Sequence, residues 1–151
     1  MPEAGEQAPD FTLPSTAGEI RLSELAAEKN VLLAFYAEDN TPLCSSEVSV
    51  FKGDYDLIRE LGAEVVAVST DSLESHLAFA KRLGGVPFPL ASDERLEAAR
   101  AYGVADDVCR RSHRAVFVIG RGGRILYAQP WFSPGNATQY SDIFAALGFE
   151  E

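Results

Sequence analysis

The sequence predicts an α/β domain in which helices flank a central mixed β-sheet. Three apolar runs of strand length, 31–36, 64–69 and 115–119, are typical of strands buried on both faces of a sheet. Segments with helical spacing of apolar residues follow the first two runs, as crossovers between parallel strands require. A glycine-rich turn at 120–123 joins the third run to an apolar segment at 124–128, which predicts an antiparallel pair.

The remaining elements extend this α/β pattern along the chain. Pro9 and Pro14 block a helix in 8–14, and Gly18 turns the chain into 19–22, so the N-terminal region predicts a small β-hairpin. The other predicted elements are helices at 44–61, 73–83, 93–102 and 137–147 and a short strand at 88–91. This order predicts parallel strands joined by helices and closed by an antiparallel pair.

Size and charge argue against several classes of protein. The 151 residues, 46% of them hydrophobic, are expected to form one domain spanning 1–151. A formal net charge of −10 argues against a nucleic-acid partner, because binding phosphates requires a basic surface. No apolar run reaches membrane-spanning length and the polar start has no secretory pattern, so we expect no membrane partner and a cytoplasmic location. Two cysteines do not make a disulfide scaffold.

The segment between the first buried strand and the next helix carries the main candidate for chemistry. Thr41 is a good N-cap, Pro42 suits the first helical position, and Cys44 then falls in the first turn of the helix. The free N–H groups and the dipole of a helix N-terminus favour an anion, so a cysteine there is biased toward the nucleophilic thiolate. The alternative is a small buried apolar residue, which is what a lone intracellular cysteine usually is.

This segment resembles the active-site loop of the peroxiredoxins, Pro-x-x-x-Thr-x-x-Cys, with Thr41 and Cys44 at the matching positions. Glu47 also matches a common family position, whereas Ala37 stands where the family has a proline that shields the cysteine. The segment that begins at Arg114 resembles the family's Arg-x-x-Phe-x-Ile stretch. The bacterioferritin-comigratory-protein and alkyl-hydroperoxide-reductase-E branches are the most similar. The resemblance implies a thioredoxin-like fold, with a central mixed sheet flanked by helices and an N-terminal β-hairpin.

The same resemblance implies a thiol-dependent peroxidase that reduces hydrogen peroxide and organic hydroperoxides. Cys44 would attack the peroxide and become a sulfenic acid, while Thr41 and Arg114 would serve catalysis and, with Glu47, substrate binding. A guanidinium suits this task because it stays charged and donates several fixed hydrogen bonds. Thioredoxin, a glutaredoxin-like protein or a low-molecular-weight thiol would then reduce the cysteine, and family members often form homodimers. No metal, haem or flavin cofactor is expected.

Other functions remain open from the sequence alone. Cys109 is the candidate resolving cysteine, and Cys44 and Cys109 together would alternatively suit a thiol–disulfide oxidoreductase. Ala37, in place of the motif proline, is compatible with a thioredoxin-fold binding or chaperone module without turnover. His76 and His113 are the only histidines, which excludes a histidine-rich metal site, and we expect both to be solvated rather than catalytic.

Overall fold

The computed structural model describes residues 2–148 of the chain. The strands in chain order are β1 (Thr12–Leu13), β2 (Ile20–Arg21), β3 (Asn30–Phe35), β4 (Ala63–Ser69), β5 (Leu90–Ser92), β6 (Ala105–Asp106), β7 (Arg111–Ser112), β8 (Ala115–Ile119) and β9 (Ile125–Gln129). The helices are α1 (Leu22–Glu28), α2 (Pro42–Gly53), α3 (Tyr55–Glu60), α4 (Leu73–Arg82), α5 (Glu97–Ala101) and α6 (Ala137–Ala146).

Strand β3 occupies the middle of a five-stranded sheet with the order β5-β4-β3-β8-β9. It pairs in parallel with β4 and antiparallel with β8, and β9 adds an antiparallel strand at the edge next to β8. The sheet is therefore mixed, as the sequence predicts. The predicted N-terminal hairpin is also confirmed, because β1 and β2 pair antiparallel with each other.

Apolar side chains cover both faces of the central sheet. Because side chains alternate along a strand, Val31, Leu33 and Phe35 of β3 belong to one buried cluster, while Leu32 and Ala34 belong to a second. The first cluster includes residues of α1 and α5, and the second includes residues of α2, α3, α4 and α6. Since both faces of β3 are buried, the loop after its carboxyl end is the natural place for polar side chains to meet.

The helix predicted at 44–61 is divided in the structure. Helix α2 ends at Gly53 and α3 begins at Tyr55, with Asp54 between them in a non-helical conformation. The N–H of Asp54 still donates to the carbonyl of Val50, so backbone hydrogen bonding continues up to the break. Glycine has a low helix propensity, and Gly53 weakens the helix at this point.

Two short elements also differ from the prediction. The hairpin of β6 and β7 was not predicted, because strands of two residues are too short to give a periodic pattern. The short strand expected at 88–91 lies at Leu90–Ser92 instead, since Pro89 precedes the pairing with β4. Within residues 2–148, no helix has the length and apolar character needed to cross a membrane.

Candidate active site

Cys44 lies in the first turn of α2, where the sequence places it. Thr41 is the N-cap, and its Oγ1 accepts a hydrogen bond from the Cys44 N–H at 3.4 Å. Pro42 takes the first helical position, where its missing N–H costs nothing. Cys44 is only 1% exposed, which would also suit an inert core cysteine, so its neighbours decide between the two interpretations.

Arg114 directly precedes β8, the antiparallel neighbour of β3. Ala115 pairs with Phe35, the last residue of β3, so Arg114 is level with the start of the loop that leads to Cys44. The Arg114 carbonyl accepts a hydrogen bond from the Phe132 N–H at 2.8 Å, which holds the backbone in place. Its Nε is buried and has no hydrogen-bond partner among the described residues. Buried donors of this kind are normally satisfied, so this N–H is available to a ligand.

Glu47 lies one turn after Cys44 on α2 and is fully buried. Within residues 2–148, neither of its carboxylate oxygens has a hydrogen-bond partner. Burial raises the pKa of Glu47 well above its usual value, the charge of Cys44 acts in the same direction, and the charge of Arg114 opposes them. Burial thus favours the neutral carboxyl, and Glu47 is close enough to both Cys44 and Arg114 for its charge to interact with theirs.

Tyr140 of α6 adds another polar group to this buried region. Its hydroxyl is buried and finds no hydrogen-bond partner in the described part of the chain. Burial raises the pKa of Tyr140, and the charge of Glu47 is the next contribution in the same direction. Within residues 2–148, the residues with buried side-chain nitrogen or oxygen atoms that have no hydrogen-bond partner are thus Glu47, Arg114 and Tyr140.

A surface cleft of about 460 Å³ opens beside these groups. Ala37, Arg114 and Phe132 line it, and Ala37 and Phe132 also pack in the apolar cluster that contains Cys44. Cys109 is exposed on the turn between β6 and β7 and lines the same cleft. The structure therefore brings Arg114 and Cys109 to one cleft, with Cys44 buried in the cluster next to it.

The outer part of the cleft contains an aromatic pair. His113 and Trp131 both line it, with ring centroids 4.3 Å apart. Trp131 is 64% exposed, whereas His113 is partly buried. The expectation that His113 is solvated is therefore correct only for part of its ring.

Arg111 ties the β6–β7 hairpin to the loop that follows β3. Its Nη2 lies 3.3 Å from Glu38 Oε2, and its Nη1 donates to Thr70 Oγ1 at 3.2 Å. The two charged side chains are 42% and 44% exposed, so we expect the ion pair to contribute less than ~1 kcal/mol.

The prediction that His76 is solvated is wrong. His76 is fully buried, with Nδ1 2.9 Å from Asp39 Oδ2 and Nε2 2.9 Å from the Ala91 carbonyl oxygen. The buried residues of α4 are His76 and Phe79, whereas Leu77 is 53% exposed. One sequence signal could have indicated that His76 is buried. His76 precedes the aromatic residue Phe79 by three positions, which puts both side chains on one face of the helix.

The oxygen and nitrogen atoms around His76 are near enough to one another to suggest a metal site. One ligand atom from each of Asp39, Asp71 and His76 lies within 4.8 Å of the others, which is the one such group in the described residues. However, Asp71 Oδ2 already accepts from the Asp39 N–H at 2.8 Å and from the Ser69 hydroxyl at 2.7 Å. Both His76 nitrogens are likewise engaged, so we interpret the group as a hydrogen-bond network.

Comparison with known proteins identifies the family. The model of the AhpC/TSA family matches residues 4–128, which is most of the chain. The chain belongs to the AhpC/TSA family. It is 36% identical over 120 residues to a protein named Peroxiredoxin from Thermoplasma volcanium, an alignment that covers 76% of this chain. It is 40% identical over 121 residues, or 79% of the chain, to one named Peroxiredoxin Q, chloroplastic, from Sedum lineare.

These curated relatives are longer than the chain. The chain spans 59% of the Thermoplasma protein and 64% of the Sedum protein, less than two thirds of either. Among solved structures, the crystal structure of peroxidoxin BcpB from Mycobacterium tuberculosis is similar over 100% of both chains, with a TM-score of 0.88 and 27% sequence identity. The AhpC/TSA membership and this similarity confirm the thioredoxin-like fold and the peroxiredoxin resemblance.

Proposed function

We propose that the chain is a thiol-dependent peroxidase that reduces hydrogen peroxide and organic hydroperoxides. The observation that carries this proposal is that Glu47 lies within reach of the charges of both Cys44, in the first turn of a helix, and Arg114, whose buried Nε has no hydrogen-bond partner among the described residues. A peroxide complements both groups, because one of its oxygens can be attacked by sulfur while the other accepts a hydrogen bond. Membership of the AhpC/TSA family supports the same chemistry.

In the proposed first step, the Cys44 thiolate attacks one peroxide oxygen in line with the O–O bond. A sulfur electron pair forms the new S–O bond, and the O–O bonding pair leaves with the other oxygen as hydroxide or alkoxide. Protonation of that oxygen gives water or an alcohol, and Cys44 is left as a sulfenic acid. Because negative charge moves from sulfur to the leaving oxygen, donors aimed at that oxygen stabilise the transition state more than the ground state.

We assign the donor role to Arg114 and Thr41. The guanidinium of Arg114 remains charged and offers fixed N–H directions. The Thr41 hydroxyl donates to the Glu38 carbonyl at 3.4 Å, a long hydrogen bond that a substrate oxygen can replace. Glu47 completes the proposed substrate-binding group, because a neutral carboxyl places no second negative charge beside the thiolate.

A thiol reductant would close the proposed cycle. One thiol displaces hydroxide from the sulfenic acid, giving a mixed disulfide and water, and a second thiol releases Cys44 as a thiol together with a disulfide of the reductant. Thioredoxin, a glutaredoxin-like protein or a low-molecular-weight thiol fits this role, and no cofactor takes part. A cytoplasmic location suits the cycle, because thiols are kept reduced there. A homodimer is the assembly we propose on the basis of the family.

One observation favours a second candidate function. Cys109 lines the same cleft as Arg114, which supports a role as a resolving cysteine or as the partner of Cys44 in a thiol–disulfide oxidoreductase. Either reaction needs the two Cα atoms within about 7 Å, and Cys44 is buried whereas Cys109 is exposed. A disulfide between them therefore requires the first turn of α2 to open.

The proposed function is tested by adding one equivalent of peroxide to reduced protein without free thiols and measuring the intact mass. The expected product gains one oxygen atom on Cys44, and turnover is expected with an added dithiol but not in the Cys44→Ser variant. Loss of two hydrogens, with both thiols disappearing together, would make Cys109 the resolving cysteine. Disulfide reduction without peroxide consumption would support the oxidoreductase instead.

A further inference from the structure

A buried hydrogen-bond network lies where the chain leaves β3. Tyr36 and Asp39 belong to the loop after β3, Ser75 and His76 belong to α4, and the Ala91 carbonyl belongs to β5. Asp39 is 7% exposed and His76 is fully buried. This network is separate from Glu47 and Arg114, and the proposed peroxide chemistry leaves it without a role.

The hydrogen-bond geometry of His76 determines where its protons lie. Nε2 is 2.9 Å from the Ala91 carbonyl oxygen, and a carbonyl can only accept, so Nε2 carries a proton. Nδ1 is 2.9 Å from Asp39 Oδ2 and 3.1 Å from Asp39 Oδ1. If Asp39 is ionised, both of its oxygens are acceptors, and Nδ1 carries a proton as well.

Asp39 is surrounded by donors that suit a carboxylate. The Tyr36 hydroxyl donates to Oδ1 at 2.6 Å, and the Ser75 hydroxyl donates to Oδ2 at 2.7 Å. Burial acts to raise the pKa of Asp39, but the hydrogen bonds from His76 and Tyr36 outweigh it and lower the pKa. Burial, and next the charge of Asp39, raise the pKa of Tyr36 well above its usual value, so the phenol remains a donor.

We propose that His76 is an imidazolium, and that its buried ion pair with Asp39 positions the loop that carries Thr41 and Cys44 for the reaction with peroxide. The positioning part rests on the proposed function, whereas the protonation state does not.

The backbone connections of Asp39 explain how the pair acts on the loop. The Asp39 N–H donates to Asp71 Oδ2 at 2.8 Å, so this residue is held through its main chain as well as its carboxylate. The next residue, Asn40, has a left-handed φ of 70°, a turn conformation that asparagine tolerates better than most residues other than glycine. Thr41, the N-cap of α2, follows directly. Fixing Asp39 therefore fixes the entry of the chain into the turn that holds Cys44.

The groups facing His76 are consistent with a stable positive charge. Asp39 and Tyr36 face it from the loop after β3, Asp71 lies beside them from the loop after β4, and β5 presents a carbonyl oxygen. In the described residues none of these contacts brings a second cation to the ring. The competing arrangement is a proton on Asp39 shared with a neutral ring, in which Nδ1 accepts instead of donating.

The protonation state is tested by long-range ¹H–¹⁵N NMR of the two histidine rings in the intact protein. We expect both His76 nitrogens at the chemical shift of protonated imidazolium from about pH 6 to about pH 8. A His76→Gln sample assigns the signals. One His76 nitrogen at the unprotonated shift across this range would overturn the proposal.

The positioning role is tested with Asp39→Asn, His76→Gln and the double variant. For each single variant we expect the second-order rate of Cys44 with hydrogen peroxide to fall by at least about tenfold, because this reaction needs aligned donors. Alkylation of Cys44 by iodoacetamide needs no such alignment, and its rate is expected to stay equal or rise. In the double variant, the fold-decrease of the peroxide rate is expected to be smaller than the product of the two single fold-decreases, since the two charges are coupled.

Parallel changes in the peroxide and alkylation rates, or no change in either, would contradict the positioning role. Ser75→Ala is a milder variant that keeps both charges, and it serves as the test if the other variants do not fold. It is expected to show a smaller loss of the peroxide rate, again without a loss of the alkylation rate. If the wild-type protein does not react with peroxide, the proposed function is contradicted. The NMR result would still show independently whether His76 and Asp39 form an ion pair.

Discussion

Two buried polar regions of the molecule differ in how their hydrogen bonds are satisfied. Around Asp39 and His76, donors and acceptors are matched at distances between 2.6 and 3.2 Å. Around Cys44, the carboxyl of Glu47 and the Nε of Arg114 are buried with no hydrogen-bond partner in the described part of the chain. Because buried polar atoms are normally paired, we propose that the matched region around Asp39 and His76 holds the structure and that the unmatched region around Cys44 receives a substrate.

The largest effect is expected from breaking the matched region. Asp39→Asn removes one partner of a buried ion pair whose side chains are 1% exposed or less, and a loss of ~3–5 kcal/mol of unfolding free energy is expected at neutral pH. The pKa of Asp39 is lowered from 3.8 in the folded protein, so its stabilisation is present above that value and lost as the pH falls through the lowered one. Urea unfolding of both proteins from neutral to acidic pH should show the difference shrinking, and a constant difference would contradict the ion pair.

The next effect concerns the unmatched region. Arg114→Lys keeps the charge but loses the fixed guanidinium donors, and the peroxide rate is expected to fall about 100-fold, or ~2.7 kcal/mol. Arg111→Lys is the matched control, since Arg111 lines the same cleft but pairs with Glu38 at the surface. The control should stay within about threefold, under ~1 kcal/mol. Equal losses in both variants would mean that general disturbance of the cleft, rather than loss of the Arg114 donors, lowers the rate, and an unchanged rate in Arg114→Lys would mean that positive charge alone suffices.

Local signals explain why part of this comparison could be predicted from the sequence. Thr41, Pro42 and Cys44 lie within four positions of each other, and capping preferences act over that range. The buried strands were equally clear, because β3 and β8 are continuous apolar runs. Arg114 was identified through its resemblance to the family's Arg-x-x-Phe-x-Ile stretch, and the pairing of β8 with β3 brings it level with the loop.

The matched region around Asp39 and His76 could not be predicted from the sequence, because only the folding of the sheet brings its residues together. Asp39 and His76 are 37 residues apart, and they meet because β3 and β4 run in parallel and α4 follows β4. The sequence pattern alone does not reveal a partner for a histidine on a helix. For this reason His76 was expected to be exposed to solvent. The burial of Glu47 likewise depends on how α2 packs in the folded protein. Its lack of hydrogen-bond partners among the described residues depends on where every neighbouring group lies.

A smaller effect is expected from Glu47. Its pKa is raised above 4.5 in the folded protein, so above that pH the folded state retains a proton that the unfolded chain releases, and stability falls as the pH rises. Glu47→Gln removes this dependence while keeping a neutral side chain of similar shape. Thermal unfolding should therefore show the variant gaining stability relative to wild type between acidic and neutral pH. A gain that is the same at every pH would show that the carboxyl is not held neutral.

The smallest effect is expected from Cys109. Its thiol is exposed at the cleft and makes no contribution to the core, so Cys109→Ser should leave peroxide turnover with an added low-molecular-weight thiol within about twofold, under ~0.5 kcal/mol. Coupled turnover assays on the two proteins provide the measurement. A loss of most of the turnover would instead make Cys109 the resolving cysteine of the cycle.

The central claim is that the buried, unpaired groups around Cys44 make it reactive toward peroxide. The most direct test compares the two cysteines within one molecule, by quenching the reaction with limiting hydrogen peroxide at short times and measuring oxidation of each by peptide mass spectrometry. Buried Cys44 is predicted to react at least about 10³-fold faster than exposed Cys109, equivalent to ~4 kcal/mol of transition-state stabilisation. Equal rates, or faster oxidation of Cys109, would show that exposure alone governs reactivity and would contradict the claim.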